Sequence, residues 1–288
     1  MSIRVENLSH TYNPGTPFER CAVDNVTLEI KDGEFVAIIG ETGSGKSTLI
    51  QHFNGLLKPT GGRVFVDEVD IWGKGVHLKT VRQKVGLVFQ YPEHQLFEET
   101  VFKDIAFGPR NIGLPDDEVD RRVEQAMKMV GLDFEALRDR SPFELSGGEK
   151  RRVAMAGVIA MKPSVIVLDE PASGLDPHGR DQVLAEIQQL HQEFGFTVVL
   201  VSHSMEDVAK LARRVMVLHK AKLIADGSTR DVFGMEDVLS KAGLEAPQVT
   251  RLMQELARRN MKVRTDILTV EEAKREILRV LGGEGRVS

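Results

Sequence analysis

A chain of 288 residues, 41% hydrophobic and 28% charged, has room for one large α/β domain with an appendage or for two small domains. Its formal net charge of −5 excludes a broad basic footprint, so no nucleic acid partner is expected. A single cysteine, Cys21, excludes an intramolecular disulfide and suits a reducing compartment. The longest apolar runs fall far short of the roughly 20 residues that span a bilayer. Residues Met1 to Glu6 carry no apolar signal core, so the expectation is a cytosolic protein that reaches a membrane only through a partner.

In chain order, Ile3–Leu8 and Val26–Ile30 alternate apolar and polar positions as half-exposed strands do, with a turn-rich Asn13–Pro17 stretch between them. Tyr12, just ahead of that turn, has two readings: stacking on an adenine ring, or plain packing at a strand end. Phe35–Ile39 reads as a buried strand. It runs into Gly40-Glu41-Thr42-Gly43-Ser44-Gly45-Lys46-Ser47-Thr48, which fits G-x-x-x-x-G-K-[ST] and opens a helical pattern through Leu49, Ile50 and Phe53. Strand, loop and helix together are the context that a phosphate-binding loop requires, and an incidental glycine-rich turn would not need all three. The glycines let successive backbone N–H groups surround an anion, and the helix N-terminus adds its partial positive charge. Lys46 is positioned for the β- and γ-phosphates and the Ser47 hydroxyl for Mg²⁺. A nucleoside triphosphate is the expected ligand.

Past the loop helix, Lys58–Gly62 reads as a turn, Arg63–Val66 as a short strand and Asp67–Lys79 as a surface excursion. Val85–Phe89 is the next strand, ending at Gln90. Residues 91–160 then change character. Apolar spacing at Val119, Val123, Ala126, Met127 and Val130 marks an amphipathic helix, and the segment reads as a helical insertion into the α/β core. It closes at Leu145-Ser146-Gly147-Gly148-Glu149, where Ser146 and Glu149 have the form of a capping box. Glycine in a helix costs about 1 kcal/mol against alanine, so Gly147 and Gly148 point beyond capping to bared amides that a phosphate could approach. Lys150, Arg151 and Arg152 read as a solvated charge run, with assistance at that site as the alternative.

Ser164–Leu168 is an uninterrupted apolar run ending in Asp169 and Glu170, as in a parallel strand buried on both faces. Ligands bind at the C-terminal ends of such strands, which puts both acids beside the phosphate loop. Asp169 is expected to orient Mg²⁺, and Glu170 to act as general base toward the attacking water. Thr197–Ser202 is a further buried strand, delivering His203 to the same edge as Asp169 and Gln90. Val215–Leu218 and a hairpin-like Lys222–Gly227 finish the core, with a boundary expected near Gly234. Beyond it, Val249, Leu252, Met253 and Leu256 share one helical face. A second set, Ala273, Ile277, Leu278 and Leu281, follows a capping box from Thr269 to Glu272. A tail of this size is too small for a robust separate core and must pack on the main domain or on another chain.

Taken together, these motifs resemble the ATP-binding-cassette (ABC) ATPases over residues 1–233, in the family's order and spacing. Gly40–Thr48 resembles Walker A, Gln90 the Q-loop, Leu145–Glu149 the signature and Val165–Asp169 Walker B. Glu170 takes the place of the catalytic base, Ser173-Gly174-Leu175-Asp176 that of the D-loop, and His203 that of the switch histidine. Within the family the chain resembles the energy-coupling factor transporter ATPases, through Gln90–Phe97, Thr100-Val101 and Asp104–Pro109. Tyr12 with Pro14–Phe18 is similar to the second of their two ATPase subunits. The departures are Glu149, where glutamine is the common signature residue, and Glu41, an acid near the phosphates that could weaken nucleotide binding slightly.

The resemblance implies an α/β P-loop fold with an antiparallel N-terminal subdomain, a helical subdomain at about 91–160 and a helical extension over 234–288 that serves as a dimer contact. It implies ATP and Mg²⁺ as ligands. Catalysis would fall to Glu170, His203 and Lys46, metal binding to Ser47, Gln90 and Asp169, and adenine stacking to Tyr12. ATP would be sandwiched between Gly40–Thr48 of one subunit and Ser146, Gly147 and Gly148 of a second ABC ATPase, in a homodimer or heterodimer. The expected place is the cytoplasmic face of the cell membrane, bound to a transmembrane coupling subunit and a substrate-binding membrane subunit that import a vitamin or metal-type micronutrient. The competing class is a soluble ABC ATPase of DNA repair or translation. The span between Lys46 and Leu145 is too short for a repair ATPase's coiled coil, and one cassette is present where translation factors carry two.

Overall fold

The computed structural model describes residues 2–284. Strands β1 (Ile3–Tyr12), β2 (Arg20–Ile30) and β3 (Phe35–Ile39) lead into helix α1 (Lys46–Phe53), followed by β4 (Gly61–Val66), β5 (Val69–Asp70), α2 (Leu78–Lys84) and β6 (Val85–Val88). Four helices come next: α3 (Val101–Asn111), α4 (Asp116–Met129), α5 (Phe134–Leu137) and α6 (Gly147–Ile159). The core resumes with β7 (Val165–Asp169), α7 (Pro177–Phe194), β8 (Thr197–Val201), α8 (Met205–Leu211), β9 (Arg214–His219) and β10 (Lys222–Ser228). The chain then runs through α9 (Thr229–Gly234), α10 (Glu236–Lys241), α11 (Gln248–Arg258) and α12 (Val270–Glu284).

The central sheet has the order β10-β9-β3-β8-β7-β6, parallel throughout except for β10 at one edge. The alternation of side chains along a strand divides its residues between two cores. Ala37, Ile39, Ile166, Leu168, Val198 and Leu200 pack with the helices on one face. Val36, Ile38, Val165, Val167, Val199 and Val201 pack on the other, under α1 and the N-terminal sheet. Burial on both faces is why these strands read as unbroken apolar runs.

The second sheet is antiparallel, order β2-β1-β4-β5. Its first hairpin is longer than the alternation predicts, because irregularities in register between Val5 and Thr11 shift the apolar pattern while pairing continues out to Tyr12 opposite Arg20. Within the expected surface excursion, Ile71 is fully buried against this sheet.

The tail has two parts. Leu239, Ala242 and Ala246 are buried in the main core with Val215, Val217 and Phe233. Met253, Ile267 and Ala273 form a small cluster of their own with Val249, Leu256 and Ile277. The Thr250 hydroxyl donates to the Ile267 carbonyl (2.6 Å), and Arg230 ties the cluster to α9 through the Asp266 carbonyl and the Glu272 carboxylate (both 2.6 Å). The expected capping box from Thr269 to Glu272 forms, and its glutamate is also drawn into a longer-range ion pair. Glu272 N–H donates to Thr269 Oγ1, and the Glu272 carboxylate accepts from the backbone N–H groups of Leu268 and Thr269 while pairing with Arg230. No helix among the described residues is long and apolar enough to cross a membrane.

Leu239→Ala, although beyond residue 234, is expected to destabilise the whole domain by about 2–5 kcal/mol, as for other buried leucines. Denaturant unfolding would register it as a lower global midpoint, with hydrogen exchange accelerated in β9 and α8 as well as in α10.

Candidate functional site

The phosphate loop joins β3 to α1, and its shape depends on glycines at left-handed or unusual φ. Gly45 has φ 107°, and a Cβ there would collide with the Ala22 carbonyl; one at Gly40 would strike the Leu218 carbonyl. The loop is thus pressed between β2 and β9. No side chain caps the start of α1 and no acid lies in its first turn, so its leading amides face the loop interior free for an anion. Lys46 Nζ donates to the carbonyls of Gly40 (2.7 Å) and Glu41 (3.0 Å). Burial pulls the Lys46 ammonium below the usual lysine range, against the raising influence of Glu170, Asp169 and, more weakly, Glu41. The buried Ser44 hydroxyl has no hydrogen-bond partner among the described residues.

Asp169 and Glu170 stand where β7 ends. Glu170 has a left-handed φ of 51°, and its N–H donates to the Val201 carbonyl (2.9 Å), so both acids are turned to the sheet edge. Glu170 Oε2 accepts from His203 Nδ1 (2.6 Å) and, more weakly, from His203 N–H (3.4 Å). Since a carboxylate only accepts, the neutral His203 ring carries its proton on Nδ1. Burial pushes the Glu170 carboxyl above the usual range, partly offset by His203. Burial raises Asp169 too, offset by a hydrogen bond from Ser47 and the charge of Lys46. Asp169 Oδ1 is buried and unpartnered, as an oxygen awaiting a cation would be. Gln90 Nε2 donates to Ser173 Oγ (3.3 Å), joining the end of β6 to the turn after Glu170.

Tyr12 reaches the same loop from β1, its hydroxyl 3.2 Å from Thr48 Oγ1. Behind it, His10 packs edge-on to Tyr12 and to the buried His52 of α1. His52 Nδ1 lies 2.7 Å from the Thr48 carbonyl and must donate to it, so neutral His52 Nε2 accepts from His10 Nδ1 (3.2 Å). Burial holds His52 down to about 4.

Ser146, Gly147 and Gly148 stand apart from this cluster. Ser146 caps α6 in a complete capping box with Glu149, whose carboxylate accepts from the Ser146 amide and hydroxyl (2.9 and 2.7 Å). Those bonds hold the Glu149 carboxyl low, and they show how glutamate serves at that position. A Cβ at Gly147 or Gly148 would meet nothing within 4 Å, so nothing in this chain's own packing requires glycine there. Glu41 lies 3.2 Å from His219 Nδ1, a buried nitrogen that makes no hydrogen bond among the described residues.

Arg151 departs from the charge-run reading. It is buried, donating to the carbonyls of Pro171 (2.7 Å) and Ser173 (3.2 Å) and pairing with Glu93 at 3.5 Å. The signal for it was its helical face, since Arg151, Met155 and Ile159 follow one another at i, i+4, i+8 and are all buried. Arg152 is half-buried, 3.7 Å from Glu186.

Residues 23–173 match the family model for the ABC transporter domain. The chain is 59% identical to the energy-coupling factor transporter ATP-binding protein EcfA2 of Clostridium tetani, covering 99% of each chain. It is 56% identical to that of Clostridium perfringens, covering 98% of this chain and 99% of the relative. The chain belongs to the energy-coupling factor ATP-binding proteins of the ABC transporter family. Among solved structures it is similar to cbiO1 of Clostridium perfringens, described as part of the ABC transporter complex cbiONQ (TM-score 0.72, 38% identity, 88% of this chain and 98% of that one). It is also similar to a dimeric bacterial ABC transporter cassette (TM-score 0.69, 31% identity, 79% and 98%). As an ABC ATPase the chain binds and hydrolyses ATP.

The histidine pair beneath Thr48 makes a pH prediction for this ATPase. His52 binds its proton less readily folded than unfolded, so its contribution to stability is complete above about pH 6.5 and is lost as pH falls toward 4, by up to about 3 kcal/mol. His52→Phe is expected to flatten that slope. Urea midpoints at pH 7.0 and 5.0 for both proteins check it.

Proposed function

We propose that this ATPase powers an energy-coupling factor importer as one half of a head-to-tail dimer, with Glu170 as general base and His203 holding it. The observation that carries this is the 2.6 Å contact between His203 Nδ1 and Glu170, at the strand edge that also bears Lys46 and Asp169. In hydrolysis the oxygen of water forms a bond to the γ-phosphorus, the bond from that phosphorus to the ADP oxygen breaks, and the water proton passes to Glu170. A carboxyl raised by burial is a better proton acceptor than an exposed one. His203 fixes the carboxylate's direction. Lys46 and the amides of Gly40, Glu41, Thr42, Gly43, Ser44, Gly45, Ser47 and Thr48 would hold the phosphates. Ser47, Asp169 and Gln90 would hold Mg²⁺, which when bound neutralises charge on the β- and γ-phosphates. The unpartnered Asp169 Oδ1 beside Ser47 fits that ion.

The uncovered glycines Gly147 and Gly148 after Ser146 support a second subunit as the other wall of the nucleotide site, as does the likeness to a cassette solved as a dimer. That subunit is a second copy or a related ATPase. Exposed aromatics after Gln90, namely Tyr91 and the edge-to-face pair Phe97 and Phe107 (4.9 Å), support docking of a transmembrane coupling subunit there, at the cytoplasmic face of the membrane. Membership among the energy-coupling factor proteins supports a transport role, and the cargo of that role would be a vitamin or metal-type micronutrient chosen by a separate membrane subunit.

Glu170→Gln, assembled with its membrane partners, is expected to bind ATP, remain in the closed dimer and lose at least about 100-fold in turnover, the range for a positioned general base. Turnover within a few-fold of wild type would remove Glu170 from that role.

A further inference from the structure

Tyr12 does not approach the phosphate loop alone. The last register pair of the β1–β2 hairpin is Tyr12 opposite Arg20, and directly opposed residues of an antiparallel pair project from the same face. Both side chains reach the loop. The Tyr12 hydroxyl meets Thr48, and Arg20 Nη2 donates to the Gly43 carbonyl at 3.3 Å. Both also line one cavity of about 220 Å³, together with Ala22, Gly43, Gly45, Lys46, Ser47 and Thr48.

A guanidinium carries five N–H donors in a planar fork. Here one of them is used, and on a neutral carbonyl, while no carboxylate among the described residues pairs with Arg20. An uncompensated, exposed cation beside free helix-N-terminal amides adds to an anion site and is suited to a phosphate oxygen. Its place in the cavity separates it from the acids. Lys46 is the cation coupled to Asp169 and Glu170, where the terminal phosphate reacts, whereas Arg20 shares the hairpin end with Tyr12. A nucleotide whose base lies on Tyr12 and whose terminal phosphates lie in the loop brings its α-phosphate between the two.

We infer that Arg20 is a nucleotide-binding residue directed at the α-phosphate, closing with Tyr12 a two-pronged clamp on the adenosine end of ATP. The inference rests on the reading of Tyr12 and Gly40–Thr48 as the ATP site. It assigns Arg20 to affinity shared by tri-, di- and monophosphates, and leaves the hydrolytic step to Glu170 and His203.

The test is competition binding of ATP, ADP, AMP and adenosine to the full-length chain at one fixed salt concentration, for wild type, Arg20→Ala and Arg20→Lys. The expected result for Arg20→Ala is a common loss of about tenfold for the three phosphorylated ligands, from a charge-assisted contact, with adenosine unchanged. Arg20→Lys should recover part of it. In the assembled transporter Arg20→Ala should raise KM for ATP and leave kcat within twofold. Equal loss for adenosine would make Arg20 a structural brace on Gly43. Loss confined to ATP would place the contact at the γ-phosphate, and unchanged affinities would remove Arg20 from the site; each overturns the inference. If Arg20→Ala melts early, Arg20→Gln with a wild-type melting temperature carries the comparison. A wild-type chain that binds none of the phosphorylated ligands would instead defeat the reading of the loop itself.

Discussion

Burial of the central sheet on both faces leaves its polar chemistry a single outlet. Inside the sheet every side chain from Val36 to Ile39, Val165 to Leu168 and Val198 to Val201 faces one core or the other, and a functional group there would be buried without water. Because β3, β6, β7, β8 and β9 are parallel, their C-terminal ends emerge at one edge. Gly40, Gln90, Asp169 with Glu170, and His203 are what follow four of those ends, and His219 ends the fifth. Residues far apart in the chain are gathered there by topology alone.

The electrostatics of that edge follow from the same burial. Desolvation is the largest influence on Lys46, Asp169 and Glu170, lowering the base and raising the two acids, so each charge is costly where it stands. Their mutual attraction repairs only part of this. Asp169 Oδ1 and the Ser44 hydroxyl remain buried and unpartnered, and Lys46 spends its donors on backbone carbonyls of its own loop. Under the proposed reading, these internal contacts would be exchanged for those of the nucleotide and its counter-ion.

Much of this was legible in the residues, and for identifiable reasons. Two-sided burial writes itself as apolar runs, so β3, β7 and β8 and the residues that follow them could be read directly. Glycines that must pass close to carbonyls, as at Gly40 and Gly45, are just as plain once strand and helix flank them. What escaped was set by geometry that spacing does not encode. Bulges hid the outer half of the β1–β2 hairpin, so the pairing of Tyr12 with Arg20 had no periodic signal. Arg151 was concealed by its neighbours Lys150 and Arg152, although the apolar positions at Met155 and Ile159 place it on the inner face of α6. The capping-box spacing of Thr269 and Glu272 gave no sign that Glu272 is also held by Arg230, a residue 42 positions away.

The tail shows the same limit in a different form. A break in pattern near Gly234 reads as the end of a domain, but Leu239, Ala242 and Ala246 belong to the core that contains β9 and α8. One further contact fastens the tail near the edge where the parallel strands end. Gln248 N–H donates to Glu206 Oε1 (3.3 Å) on α8, the helix that begins just after His203. The cluster of Met253, Ile267 and Ala273 is therefore joined to the main domain by packing and by Arg230, with Leu252, Leu278 and Leu281 exposed on its outside. Those leucines thus stand on a cluster that Arg230 joins to α9 and that continues the helix whose first amide, Gln248 N–H, is bonded to α8, so the tail is fastened to the main domain by specific contacts while its outer apolar face stays open.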